Sequence, residues 1–207
     1  MLRHCKHNSR RAGFSLMEIL IVVALFLSVL IVVVSLRGNI ATLDQLVGQK
    51  LQSRGDIEQA LQIMATEIRS AGPSSLGSYP IELASSTQFV FYSDIDKDGL
   101  YERVRYFLSS TTIIKGVIRP IGNPLSYASS SEIFTDAFTN IISGSSTVLF
   151  RYFDANYTGT SSPLSYPLNT AAVRMVNVSF LADVNASTSP KPEYFTETVS
   201  IRNLRTN

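Results

Sequence analysis

Gly13-Phe14-Ser15-Leu16-Met17-Glu18, running straight into an apolar stretch over residues 19–36, is the segment on which the fold of this chain turns. No charged residue occurs between 19 and 36, and the only polar ones are Ser28 and Ser35. Ahead of it lies a short basic leader with Arg3, Lys6, Arg10 and Arg11. Counted from Phe14, the run is 23 residues. At about 1.5 Å per residue it would extend roughly 34 Å as a helix, enough for a bilayer core of about 30 Å. With only Arg37 on the far side, the leader predicts a cytoplasmic N-terminus.

Glu18 separates this stretch from an ordinary signal anchor. A carboxylate just inside an apolar helix is costly in lipid and points to a function. A secretory signal carries its small-residue cleavage site after the apolar region; here the small residue, Gly13, precedes it. Cutting after Gly13 discards the leader, keeps the apolar helix and frees an ammonium group on Phe14. That charge would stand one helical turn from the Glu18 carboxylate. The alternative is an uncleaved membrane anchor with its glutamate at the headgroup level.

These residues resemble the N-terminus of the type IV pilin and type II secretion pseudopilin family. The resemblance implies that a prepilin peptidase cleaves Gly13-Phe14 and methylates the Phe14 amine, and that Glu18 attracts the Phe14 ammonium of a neighbouring subunit during assembly. It also implies an α+β, pilin-like fold: one long N-terminal helix, membrane-spanning in its lower half, packed on an antiparallel β-sheet ectodomain. The expected divisions are a cleaved leader (1–13), a transmembrane and assembly helix (14–37), its amphipathic continuation (38–72) and a β-rich ectodomain (73–207). The order of later segments, including Phe150-Arg151-Tyr152-Phe153-Asp154 and Val199-Ser200-Ile201-Arg202-Asn203, is most similar to the larger minor subunits, PilW-like and J-type pseudopilins.

Composition narrows the chemistry. The 207-residue chain carries 18 basic and 16 acidic residues, but four of the bases lie in the leader, which has no acid. The processed chain would therefore be slightly acidic, and the basic excess is a topology signal rather than a nucleic-acid one. Cys5, His4 and His7 are the only cysteine and histidines, and all three precede Gly13. A processed ectodomain would have no disulfide, no thiol or histidine catalysis and no Cys/His metal site.

Beyond Arg37 the helical period continues through Ile40, Leu43, Val47, Leu51, Ile57, Leu61, Met64 and Ile68, with glutamines on the other face. Gly72-Pro73 marks its stop, for an expected helix over 14–71 of close to 87 Å. The sequence then turns to short β-favouring runs at 87–92, 102–108, 111–117, 147–153, 172–182 and 195–202. Segment 132–142 suits either a short helix or a strand, and 157–170 and 185–193 read as loops too hydrophilic to pack.

One ectodomain motif has metal-like spacing: Asp94-Ile95-Asp96-Lys97-Asp98-Gly99, followed by Glu102. Carboxylates at alternate positions before a glycine open a calcium loop. Glu102 falls at the ninth position, whereas the EF-hand pattern places its bidentate glutamate at the twelfth, here Arg105. The candidate ligands of a Ca2+ cofactor are Asp94, Asp96, Asp98 and Glu102. An acidic hairpin tip turning on Asp98-Gly99 explains the same residues.

No catalytic constellation appears, so the chain is not expected to be an enzyme. Arg103, Arg105, Lys115, Arg119, Arg151 and Arg174 lie among aromatics such as Tyr101, Tyr106 and Tyr152, but a slightly acidic chain lacks the field for nucleic-acid binding. The function expected is a minor structural subunit (prepilin) of a type IV pilus or type II secretion pseudopilus. It would pass from a single-pass inner-membrane protein into an extracellular or periplasmic filament. Implied partners are other pilin or pseudopilin subunits, the prepilin peptidase, an assembly ATPase and a platform membrane protein. The alternative is a filament-tip adhesin or DNA-uptake (competence) subunit.

Overall fold

The computed structural model describes residues 16–144, 147–183 and 192–204, with side chains outside 32–53. Gly13 and Phe14 lie outside the described residues. Helix α1 spans Leu16–Arg69. The chain divides into two compact units, residues 1–49 and 50–207, and the division falls within α1.

Among the described residues of the second unit, eight strands form two antiparallel sheets. The first is a meander of β1 (Ile81–Ala84), β2 (Gln88–Ser93), β3 (Glu102–Ser109), β4 (Thr112–Ile118) and β5 (Ile133–Phe138), adjacent in that order. The second holds β6 (Phe150–Phe153), β7 (Met175–Ala182) and β8 (Glu193–Ser200). Backbone bonds join them: Leu149 and Phe150 N–H donate to Ser86 O, and Asp183 N–H donates to Asn140 O at 2.9 Å.

These findings correct the expected pilin-like fold of one sheet under a membrane-spanning helix. The strands form two sheets rather than one, and among the described residues no helix is both long and apolar enough to cross a membrane. The transmembrane assignment of 14–37 and the single-pass inner-membrane placement are corrected with it.

The last turns of α1 carry the core stripe. Leu61, Met64, Ala65 and Ile68 recur at helical spacing, and all are buried with Ala71. They join one cluster with Phe89, Phe91, Val104 and Ile113 of the first sheet and with Phe150, Val176 and Phe180 of the second. The helix ends because Gly72 N–H leaves the helical ladder and donates to Tyr92 O of β2 at 2.9 Å. Gly72 is required there by space: a Cβ on it would stand 2.5 Å from the Tyr101 ring.

Segment 132–142 is a strand over Ile133–Phe138, registered on β4 with Gly116 opposite Phe134. The expected loop 157–170 packs instead. Leu164 and Leu168 rest on the core, Tyr157 lies against Phe153, and Tyr166 OH donates to Phe150 O. Leu164 N–H donates to Tyr152 O at 2.8 Å, so this segment covers the outer edge of β6. The reason is its four spaced apolar or aromatic anchors, which outweigh a polar average. A further difference is β1, a short strand absent from the sequence reading.

We expect Ile68→Ala, which truncates a fully enclosed side chain, to destabilise the chain by about 2–5 kcal/mol in denaturant unfolding. Ile63→Ala, on the exposed side of the same turns, should cost under about 1 kcal/mol.

Candidate functional site

Glu18 lies in the first turn of α1 and is exposed. The described side chains around it are mainly apolar and exposed: Leu16 is 77%, Phe26 67% and Ile31 69% exposed. A carboxylate near a helix N-terminus is favoured by the helix dipole. Its expected partner, Phe14, is outside the described residues.

The acidic motif forms the loop between β2 and β3. Strand alternation determines its geometry: Glu102 opens β3 on the same face as Val104 and Tyr106, so its carboxylate is turned inward and only 1% exposed. Opposite it in the ladder stands Ser93. The Ser93 hydroxyl pairs with that of Ser70 at 2.8 Å, which ties the negative end of α1 to the base of the loop. On the other side Tyr101 N–H donates to Ser75 Oγ at 2.8 Å, and Tyr127 OH donates to Tyr101 O at 2.6 Å.

Within the loop, Glu102 Oε2 accepts Ile95 N–H at 3.0 Å, and Asp94 Oδ2 accepts Gly99 N–H at 3.2 Å. Carboxylate oxygens of Asp94, Asp96 and Glu102 lie within 4.8 Å of one another. Asp98 is not part of this group; its Oδ1 accepts Leu100 N–H at 2.8 Å. The left-handed residues are Lys97 and Gly99 rather than Asp98 and Gly99, so the turn is a longer loop than the two-residue hairpin the sequence allowed. Arg119 reaches Asp96 Oδ2 at 3.1 Å from an exposed position. Burial raises the Glu102 pKa above the usual carboxylate range, helped by the nearby charges of Asp96 and Asp98.

The basic residues are engaged within the fold. Arg103 forks onto Glu82 at 2.7 and 2.6 Å, which lowers the Glu82 pKa. Arg105 forks onto Glu132 at 2.8 and 2.9 Å and lies over the Phe107 ring. Gly116 leaves the room that Glu132 occupies on this path across β4. Arg151 donates to Ser179. Tyr106 and Tyr152 are buried, so neither offers a free stacking face.

Glu67 was missed by the sequence reading. It is buried on the stripe side of α1, where Tyr106 OH donates to Oε2 at 2.7 Å and Lys115 donates to Oε1. A carboxylate three residues after Met64 in an apolar stripe was the available signal, because such a group needs a partner. No protein-family model matches the chain, and no characterised protein matches it in sequence.

Glu102 and Glu82 have opposite pH signatures. The raised Glu102 pKa means that stability is lost as pH rises through its folded value; the lowered Glu82 pKa means that stability is lost on acidification. With divalent ions chelated, we therefore expect Glu102→Gln to be more stable than the parent at neutral pH. That gain should vanish below the usual carboxylate range, as read by urea midpoints across a pH series.

Proposed function

We propose that the chain is a minor subunit of a type IV pilus or type II secretion pseudopilus, processed at Gly13-Phe14 and assembled through the N-terminal part of α1. The observation that carries this is the apolar surface over 16–31, exposed on all sides of the helix with Glu18 in its first turn. A helix apolar all round needs apolar surroundings, and a bundle of like helices supplies them. Within such a bundle, Glu18 is tolerable only if a cation meets it. The Phe14 ammonium that processing would create on a neighbouring subunit is that cation.

The partners follow from this reading: other subunits of the same kind, a peptidase that cuts after Gly13, and the ATPase and platform protein that drive assembly. The ectodomain core supports an architectural role, since its acid–base pairs Glu67–Lys115 and Arg105–Glu132 hold strands and helix together.

We expect Gly13→Ala to abolish most processing, seen as a retained leader by mass spectrometry. For Glu18→Ala we expect a processed subunit depleted from filaments at least tenfold by quantitative blotting. Met1 still attached in the assembled form, or ordinary incorporation of the Glu18 variant, would overturn the proposal.

A further inference from the structure

We propose that the loop between β2 and β3 binds a calcium ion through the carboxylates of Asp94, Asp96 and Glu102. The cluster alone would not carry this; the state of its buried oxygens does. Asp94 Oδ1 is enclosed by protein and receives no hydrogen bond. An enclosed, unpaired carboxylate oxygen is costly, and its second oxygen is already used by Gly99 N–H.

Glu102 adds an independent burden. It is 1% exposed, receives Ile95 N–H on Oε2, and forms no ion pair with any lysine or arginine among the described residues. It stands opposite Ser93, whose hydroxyl is bonded at the end of α1, where the helix dipole is negative. A buried carboxylate beside two others and a helix C-terminus lacks the compensation that buried charges ordinarily have. Arg119 answers only the outer oxygen of Asp96 and is itself 63% exposed, so it leaves Asp94 and Glu102 uncompensated.

The donor set selects the ion. All three donors are hard carboxylate oxygens, which suit calcium or magnesium rather than zinc or copper. Their oxygens lie within 4.8 Å of one another, no wider than a shell with oxygens about 2.4 Å from its centre, as around calcium. Asp96 is exposed, which leaves the solvent side open for waters to complete an irregular shell. Magnesium demands a tighter octahedron and gives up its waters reluctantly.

The test uses the full chain, freed of divalent ions with a chelator and titrated with calcium or magnesium, followed by thermal unfolding and calorimetry. We expect about 5 mM calcium to raise the unfolding midpoint by roughly 3 °C or more, and magnesium to do less. Asp94→Asn and Glu102→Gln should each weaken calcium binding at least tenfold. Glu102→Gln should nonetheless unfold no lower than the parent in chelator, because it removes a buried charge. Arg119→Ala should bind calcium as tightly or more tightly, since a competing cation is gone. Equal parent midpoints with calcium and with chelator would overturn the proposal, as would Asp94→Asn or Glu102→Gln binding within twofold of the parent. A tenfold loss in Arg119→Ala would also overturn it.

Discussion

The docking of the last turns of α1 against the sheets, with Glu67 held by Tyr106 and Lys115, governs the rest of the ectodomain. Ile68 and Met64 supply apolar area, and Glu67 fixes where along the helix that area meets the first sheet. Tyr106 sits on β3 and Lys115 on β4, at positions that face each other in the ladder. One carboxylate therefore sets both the helix position and the meeting point of two strands. A purely apolar contact would allow sliding by a turn, but the paired carboxylate does not, since a slipped register would leave it buried without its donors.

The same registration shapes the acidic loop. With the end of α1 tied through Ser70 to Ser93, Gly72 N–H on Tyr92 O and Tyr101 above Gly72, the loop base has little freedom. Glu102 is turned inward by the alternation of β3 and not by any property of the loop. The fold thus forces a charge into a position that a simple hairpin tip would avoid.

Much of this was legible in the chain. The three- and four-residue spacing of Leu61, Met64 and Ile68 gave the buried face of the helix, and Gly72-Pro73 gave its stop. The β-branched and aromatic runs located β2, β3 and β4 closely because their hairpins are local. Strand β1 was not legible: Ile-Glu-Leu-Ala has weak strand preference and is ordered by pairing with β2. Segment 132–142 was ambiguous because Phe and Ile suit either period, and the ladder with β4 decides it. In the acidic motif, spacing identified Asp94, Asp96 and Glu102 as neighbours. It could not show that Asp98 turns away to Leu100, or that Arg119 arrives from beyond β4. The membrane crossing was read from the length of the apolar run and the single sheet from the N-terminal resemblance; the structure has two sheets, and among the described residues no helix is long and apolar enough to cross a membrane.

The segment over β6 has a consequence for behaviour at high concentration. A bare strand edge is a template for pairing with another chain. Leu164 N–H occupies Tyr152 O, and the Tyr166 hydroxyl occupies Phe150 O, so β6 has already spent edge acceptors on its own chain. The second sheet therefore offers less of that flank to strand exchange, and Arg151 on the same strand adds a charge to it.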